Sequence, residues 1–334
     1  MIASIVDKAL DDGCLAEDEI AALFEVPLFT DNSARIIAAG RRKAEQACSS
    51  LAEVHAQVGL NVARCPINCR FCSFAACNEV FEQETELSLA EAVARAQLAE
   101  TEGASALYLM ITANYPFAKY LEVAGEIRQA LRPQTPLVAN VGDFSLPQAR
   151  QLKQAGFAGI YHAVRLGEGR DTSIPVERRL KTMQHAREAG LLIGTCLEPV
   201  GPEHTTEELV AKTIITRDAR PMYSGAARRI PLPGTEMASL GMVSKARMAH
   251  IVAVVRLALP RSVFGNCTHE PDVYGAAAGA SLLWSEAGAN PRDTAAETEG
   301  RHGMATGLCR ETLIDAGWQV LQGPSRWFAG NACS

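Results

Sequence analysis

Long apolar runs and clusters of like charge are both missing from this chain of 334 residues. No uninterrupted apolar stretch approaches the roughly 20 residues that a helix needs to span a bilayer, so no membrane association is expected. No run of Lys or Arg forms a basic stripe, and the formal net charge is −6. This charge pattern argues against nucleic acid as a partner. The expected partner is therefore a small molecule.

The amino terminus also lacks the features of a secretion signal. MIASIVDKALDDG carries acidic residues and a helical period, where a signal peptide has a basic start, an apolar core and small residues at its cleavage site. We therefore expect a cytoplasmic protein. Its ten cysteines then lie in a reducing compartment, where those that cluster are more often metal ligands or catalytic groups than disulfide partners.

From about residue 88 the sequence alternates helical periods with short apolar runs. In SLAEAVARAQLAETEG, Ser88 and Glu91 form a capping box at a helix start, and ALYLMITA follows as a strand. Repetition of this order predicts a parallel sheet covered by helices. Counted from a first strand near GLNVARC, about eight units would close a (βα)8 TIM-type barrel, an α/β fold. An open doubly wound sheet is the alternative, but no GxGxxG follows the first strand.

The chain has no linker rich in Pro, Gly or Ser, so we expect one barrel with flanking segments. We assign residues 1–50 to an N-terminal helical extension, 51–317 to the barrel and 318–334 to an irregular C-terminal tail. In such a barrel, functional side chains gather where the strands end. Polar or thiol side chains follow successive predicted strands at Thr112, Asn114, Asn140, Asp143, His162, Arg165, Cys196, Glu198, Arg228, Arg229, Asn266 and Cys267.

The segment RCPINCRFCSFAAC, residues 64–77, holds four of the ten cysteines. Cys65, Cys69 and Cys72 have the spacing Cys-x3-Cys-x2-Cys, whereas structural zinc usually needs a Cys-x2-Cys pair and a distant second pair. Three thiolates suit a [4Fe–4S] cluster whose fourth iron stays open to a substrate or cofactor. Three buried cysteines without metal are the alternative. Cys77 lies outside this spacing and is interpreted as structural.

Cys-x3-Cys-x2-Cys with an aromatic residue, Phe71, before the last cysteine, in the first loop of a βα barrel, resembles the radical S-adenosylmethionine enzymes. The resemblance implies that the open iron binds the amino and carboxylate groups of S-adenosylmethionine. One electron from the cluster would then cleave this cofactor to methionine and a 5′-deoxyadenosyl radical, which abstracts hydrogen from the substrate. It also implies an electron donor such as flavodoxin or ferredoxin, and it is compatible with a homodimer.

Most of the barrel also resembles the biotin synthase group. The resemblance rests on Tyr161, His162, Asp-Thr-Ser at 171–173 and Cys196, and on the segments IPLPGTEMA and AAAGASLLWSEAGANP. It implies sulfur insertion into dethiobiotin to form biotin, with a second iron–sulfur cluster as the sulfur donor. The alternatives are another C–H-activating member that builds a metallocofactor or a modified amino acid, and a non-catalytic iron–sulfur carrier.

The resemblance departs from the group at this second cluster, whose ligands there are three cysteines on three strands and one arginine. Only Cys196 is retained, because the strands ALYLMITAN and PLVANVGD contain no cysteine. We hypothesise that Cys196 and Cys267, together with Cys309 or Cys333, hold a different auxiliary iron–sulfur cluster. Small buried thiols that only fill space are the alternative at each of these positions.

Contacts to S-adenosylmethionine or substrate are expected from residues near the predicted strand ends, namely Asn114, Asp143, Arg165, Asp171, Glu198 and Arg228. Glu198 follows the strand on which the group places adenosine contacts, and its carboxylate would accept a hydrogen bond from a ribose hydroxyl. The alternative for Glu198 is an acid that stabilises a helix N-terminus. Asp171, in the Asp-Thr-Ser match, is a second candidate for the ribose.

Basic side chains near the strand ends could bind a carboxylate. An Arg guanidinium matches a carboxylate with two parallel hydrogen bonds, and we expect one of Arg165, Arg228 and Arg229 to face inward. His204 and His269 are lesser ligand candidates, because a lone His near a helix start is more often a surface or capping group.

Overall fold

A computed structural model describes residues 1–270 and 272–328 of the chain. Its α-helices are α1 (Ile2–Leu10), α2 (Glu17–Phe24), α3 (Asp31–Cys48), α4 (Leu89–Thr101), α5 (Phe117–Ala130), α6 (Leu146–Gln154), α7 (Val176–Glu188), α8 (Thr206–Asp218), α9 (Lys245–Ala258), α10 (Val273–Ala277) and α11 (Thr306–Asp315). Its strands are β1 (Leu51–Gly59), β2 (Asn61–Val62), β3 (Thr85–Glu86), β4 (Ala106–Met110), β5 (Leu137–Asn140), β6 (Gly159–Tyr161), β7 (Leu192–Gly194), β8 (Leu197–Val200), β9 (Tyr223–Arg228), β10 (Gly265–Cys267), β11 (Leu282–Gly288) and β12 (Gln319–Val320).

Eight parallel strands form a closed barrel in the order β1, β4, β5, β6, β7, β9, β10 and β11. The ring closes where β11 pairs with β1, from Glu53 opposite Leu282 to Gly59 opposite Gly288. Helices surround the strands, as in other barrels of this class. The predicted (βα)8 TIM-type barrel is confirmed, and the alternative of an open doubly wound sheet is wrong.

The first barrel strand lies earlier in the chain than the sequence indicated. The expected strand near GLNVARC is instead a short β2, which pairs antiparallel with β3. The true strand, LAEVHAQVG, carries three polar side chains that obscure its strand character. Those side chains are buried and hydrogen bonded: His55 Nε2 lies 2.8 Å from Glu53 Oε2, and the Gln57 carbonyl accepts from Asn140 Nδ2 at 2.7 Å. Paired in this way, they can lie inside the fold without a large desolvation cost.

The helices α1 to α3 pack against the outside of the barrel around α9. Thr30 caps α3 by accepting a hydrogen bond from the Ser33 amide. At Gly40 the backbones of α3 and α9 approach so closely that a Cβ would lie 2.8 Å from the Cα of Ala253. Glycine is therefore needed at this crossing. None of the described helices is long and apolar enough to cross a membrane.

Residues 318–328 are more ordered than the expected irregular tail. β12 pairs with the start of β1, and two aromatic side chains follow it into the amino-terminal end of the barrel. The ring of Trp327 lies 5.4 Å from that of His55, and the ring of Phe328 lies 6.0 Å from it. A strand of two residues has no period that could be recognised in the sequence. The segment closes the end of the barrel opposite the strand carboxyl ends.

Replacing Trp327 with Ala should destabilise the barrel. Only 5% of Trp327 is exposed, so its truncation leaves a cavity beside His55 and Tyr223. We expect the free energy of unfolding, measured by chemical denaturation, to fall by about 3–5 kcal/mol. Phe29→Ala is the control, because Phe29 is 91% exposed. A loss for Trp327→Ala as small as that of the control would contradict the packing described for the tail.

Candidate active site

A large cavity opens at the carboxyl end of the barrel, with an empty volume of about 1250 Å³ that includes its mouth. The three cysteines of the Cys-x3-Cys-x2-Cys motif line it. Residues from several strand ends, separated by up to 235 positions in the chain (Gln57 to Arg292), line it as well. Those predicted from the sequence are Thr112, Asn140, His162, Arg165, Glu198, Arg228, Arg229 and His269, and those not predicted include Gln57, Arg179, Glu286 and Arg292.

The cysteine loop is folded by its own backbone hydrogen bonds. The Cys72 amide donates to the carbonyl of Cys69 at 2.9 Å, and the Cys65 amide donates to that of Phe74 at 2.8 Å. Asn68 has a φ of 50°, a left-handed conformation that Asn tolerates better than most residues, and its side chain accepts from the Cys77 amide at 3.0 Å. These bonds bring the three motif thiols to the same wall of the cavity.

Asn78 fixes the cysteine loop from behind. Its side-chain amide donates to the carbonyls of Cys72 at 2.8 Å and Arg70 at 3.2 Å, and its carbonyl accepts from the Glu236 amide at 3.1 Å. Asn78 is itself 8% exposed. Sequence reasoning missed this residue, because a lone Asn in a loop gives no signal of its partners.

The Asp-Thr-Ser segment supports the cysteine loop instead of lining the cavity. Ser173 Oγ donates to the Ile67 carbonyl at 2.7 Å, and the Arg70 amide donates to the Asp171 carbonyl at 2.9 Å. The Asp171 carboxylate lies 3.3 Å from the guanidinium of Arg70 and 3.0 Å from that of Arg170. The Asp171 carboxylate is therefore paired with two arginines. Asp171 is not among the residues that line the cavity, where the sequence predicted a ribose contact.

The motif thiols suit metal ligation. Every cysteine in the described part of the chain is free of disulfide bonds. Burial raises the pKa of Cys69 to about 11 and that of Cys72 well above its ordinary value, so both remain neutral thiols at pH 7 without a cation. A bound metal would supply the positive charge that stabilises the thiolates. The donor set of three convergent thiols open to a cavity therefore fits an iron–sulfur cluster with one free iron.

Arg165 and Glu198 form a charged pair on the cavity wall, with Arg165 Nε 3.8 Å from Glu198 Oε1. Burial alone would raise the pKa of Glu198, but the neighbouring His269 and the Arg165 charge lower it to about 2. Glu198 is thus a carboxylate at neutral pH and can accept hydrogen bonds. The sequence correctly suggested that these two residues come from adjacent strand ends.

Asp143 lies behind the cavity and positions two side chains that line it. It accepts hydrogen bonds from Arg179 at 3.0 Å and Thr182 at 2.9 Å, and it lies 3.1 Å from His162 Nε2. Burial opposes ionisation of Asp143, but the contact with His162 and the nearby cations hold its pKa well below the usual range. Arg179 also lies 3.1 Å from the fully buried carboxylate of Glu168. Asp143 is therefore placed to orient His162 and Arg179.

Two further arginines of the cavity wall are paired with acids. Arg228 Nε donates to Glu270 at 2.6 Å, and Arg229 donates to Glu203 at 2.9 Å. With Arg165, all three arginines named from the sequence line the cavity, where only one was expected. Asn114 differs, because it is exposed and its side chain reaches only the Arg64 carbonyl at 3.5 Å.

The remaining cysteines divide by position. Cys196 and Cys267 are fully buried and belong to the same cluster of packed core residues. Cys309 lies on α11, where its thiol donates to the Trp284 carbonyl at 3.2 Å, so it packs between helix and strand. Cys333 lies outside the described residues. The structure therefore brings together two of the four cysteines proposed for an auxiliary cluster.

No family model matches the chain. Among curated proteins, the biotin synthase of Desulforudis audaxviator is 25% identical over 298 residues, which cover 84% of this chain and 89% of that protein. The biotin synthase of Acidothermus cellulolyticus is 23% identical over 269 residues, which cover 78% and 79% of the two chains. That of Thermus thermophilus is 31% identical over 183 residues, which cover 52% and 54%.

Solved structures of similar fold include the FeFe-hydrogenase maturase HydG from Carboxydothermus hydrogenoformans, with a TM-score of 0.80, 19% identity, and coverage of 99% of this chain and 81% of that chain. Methylornithine synthase (PylB) has a TM-score of 0.79, 16% identity, and coverage of 98% and 99%. At these identities the structures agree in fold. The chain is therefore similar to biotin synthases over most of its sequence and shares the barrel fold of these two enzymes.

Proposed function

We propose that the chain generates a 5′-deoxyadenosyl radical from S-adenosylmethionine and uses it to abstract hydrogen from a small organic molecule in the barrel cavity. One observation carries this proposal: the thiols of Cys65, Cys69 and Cys72 line the same cavity as charged residues from several strand ends. A cluster on those thiols would supply the electron that cleaves the cofactor. The protein then has to position the reactants and exclude water.

The cavity wall offers groups for each part of the cofactor. Arg165 could bind the carboxylate of S-adenosylmethionine with two hydrogen bonds, and its charge already acts on the neighbouring Cys69 thiol. Glu198, ionised at neutral pH, could accept from a ribose hydroxyl. Phe71 and Phe74 line the wall beside the motif thiols and would keep water from the cluster. The wider ligand set from the sequence, Asn114, Asp143, Asp171 and Arg228, stays a prediction.

Sulfur insertion into dethiobiotin is the first candidate for the specific reaction. The curated biotin synthases, which span 84% and 78% of this chain, support it. The amide groups of Gln57 and Asn140 complement the donor and acceptor groups of a ureido ring, and Arg228 complements a carboxylate. This reaction also needs a sulfur source inside the barrel, for which Cys196 and Cys267 are the candidate ligands. A flavodoxin or ferredoxin donor and a homodimer stay predictions.

A second candidate is a C–H-activating reaction without sulfur transfer, such as synthesis of a modified amino acid or a metallocofactor. The specific observation in its favour is the shortage of thiols. β4 and β5 carry no cysteine, and within the described residues Cys196 and Cys267 are the two thiols brought together inside the barrel. The two candidates differ in the iron and sulfide that the protein must hold.

Cys69→Ala should abolish the cofactor chemistry, because two thiols cannot hold the cluster with an open iron. After anaerobic reconstitution, we expect the variant to lose about four iron atoms per chain and to form no 5′-deoxyadenosine with dithionite and S-adenosylmethionine. Cys77→Ala is the matched control, since Cys77 is a neighbouring cysteine outside the motif, and it should retain both. If the wild-type protein bound the cluster but produced no 5′-deoxyadenosine, a non-catalytic carrier would be the better assignment.

Anaerobic incubation with dethiobiotin separates the two candidate reactions. If sulfur is inserted, biotin should form together with 5′-deoxyadenosine, and iron and sulfide should exceed the content of one cluster. Cys196→Ala combined with Cys267→Ala should then remove only the excess. Iron and sulfide at one cluster per chain, with no biotin formed, would reject sulfur insertion and leave the second candidate.

Asn78→Ala should weaken retention of the motif cluster without removing a ligand. The substitution leaves the partly buried carbonyls of Cys72 and Arg70 without their side-chain donor, at a cost of about 1 kcal/mol. We expect iron to be lost to a chelator faster than from the wild type, as followed by the visible absorption of the cluster. Asn114→Ala is the control, because Asn114 is exposed. Equal loss rates in the two variants would contradict the supporting role of Asn78.

A further inference from the structure

A second group of metal-ligating side chains lies behind the wall of the main cavity. We call it the inner site, and it comprises Cys196, Glu198 and His269, with the buried Cys267 packed in the same part of the core as Cys196. The two cysteines are fully buried, whereas Glu198 and His269 also line the cavity. The inner site therefore connects a sealed pair of thiols with the space in which a substrate would bind.

The inner site is compact enough for one ion. The Cys196 sulfur, a Glu198 oxygen and a His269 nitrogen all lie within 4.8 Å of one another, and the separation of His269 Nε2 from Glu198 Oε2 is 3.4 Å. Ligands around one tetrahedral ion are about 3.3–3.8 Å apart, given metal–ligand bonds of roughly 2.0–2.3 Å. Small side-chain shifts would complete that geometry. Two side chains that bind different irons of a cluster would lie farther apart, because the distance between the two irons separates them.

His269 independently indicates a missing ligand. It is 9% exposed, and neither of its ring nitrogens has a hydrogen-bond partner among the described residues. Leaving such a buried polar group unpaired costs about 1–3 kcal/mol. The ring is stacked on Trp284, with centroids 5.6 Å apart and an angle of 8° between the planes. His269 is thus held in a fixed orientation beside the Glu198 carboxylate, 3.4 Å away.

The surroundings of His269 resemble the support that metal-bound histidines receive. Nε2 points to Glu198, while Nδ1 lies 4.0 Å from Glu286 Oε1. A carboxylate beside the other ring nitrogen commonly fixes the tautomer and orientation of a metal-bound His. Cationic Arg165 and Arg292 act on Glu198 and Cys196 respectively. They would balance the negative charge of the Cys196 thiolate and the Glu198 carboxylate beside a divalent ion.

We propose that the inner site binds a single divalent transition-metal ion, zinc or iron(II), independently of the motif cluster. One thiolate, one imidazole and one carboxylate form a mixed set of three protein ligands that both of these ions accept. This proposal goes beyond the radical chemistry proposed above. It also differs from the auxiliary cluster expected from the sequence, because a single ion carries no sulfide and needs neither Cys309 nor Cys333.

Metal binding to the full-length chain with Cys65→Ala, Cys69→Ala and Cys72→Ala tests the inner site alone. After removal of metal with a chelator, the protein is titrated anaerobically with zinc and, separately, with iron(II), the latter both without and with added sulfide. We expect about one equivalent of tightly bound metal and no acid-labile sulfide. Cobalt(II) in the same position should give a thiolate-to-metal charge-transfer band.

Two variants in that background identify the ligands. His269→Gln should weaken zinc binding by at least about 100-fold, and Glu198→Gln should also weaken it. His302→Gln is the matched control, because His302 is exposed, and it should bind as the parent does. Circular dichroism of the metal-free proteins checks that each variant is folded. If the His269 variant is not folded, the zinc affinity of the Glu198 variant tests the site.

Three results would overturn the proposal: no metal bound by the folded parent, equal affinity in the parent and the His269 variant, or iron accompanied by stoichiometric sulfide. The last result would instead assign an iron–sulfur cluster to the inner site. Formation of 5′-deoxyadenosine by the wild-type chain is measured separately. Failure of the radical chemistry and failure of the inner site can therefore be distinguished.

Discussion

The pairing of β11 with β1 is the constraint on which the site depends. It closes a ring of parallel strands, and closure brings all the strand carboxyl ends to one rim. Residues as distant in the chain as Cys65, Arg165 and Arg228 then line one cavity. In an open sheet the outermost strands would not meet, and the cysteine loop after β1 would not face the residues that follow β9 and β11.

Closure also forces one side of every strand into a confined interior, and here that interior is polar to an unusual degree. Glu53 and His55 pair near the amino-terminal end, and Gln57 pairs with Asn140 nearer the cavity. Buried polar groups are tolerated when they are hydrogen bonded and become costly when they are not. Other buried polar atoms of the described residues have no hydrogen-bond partner, among them the Tyr161 and Tyr223 hydroxyls, and His269 is the residue among them with two such atoms.

The sequence predicted what depends on local pattern and missed what depends on tertiary pairing. Alternating helical and apolar periods predicted the barrel, and the spacing of the motif cysteines predicted a shared site. The predicted position of the first barrel strand was wrong because His55 and its polar neighbours do not resemble a buried strand until their hydrogen-bond partners are known. Asn78 and Arg179 were missed for the same reason: their partners lie on other elements, and neither residue type is distinctive alone.

The two sets of cysteines, those of the motif and those of the inner site, illustrate this difference. The motif thiols are neighbours in sequence, so a local loop can bring them together in any barrel that carries it. The inner thiols come from separate elements: Cys196 follows β7 and Cys267 ends β10, and both of these strands pair with β9 in the ring. Sulfur insertion requires sulfide at the inner thiols, whereas a single ion there would leave the radical to act on the substrate without sulfur transfer. The occupant of the inner site, more than the motif, therefore determines which reaction this barrel can perform.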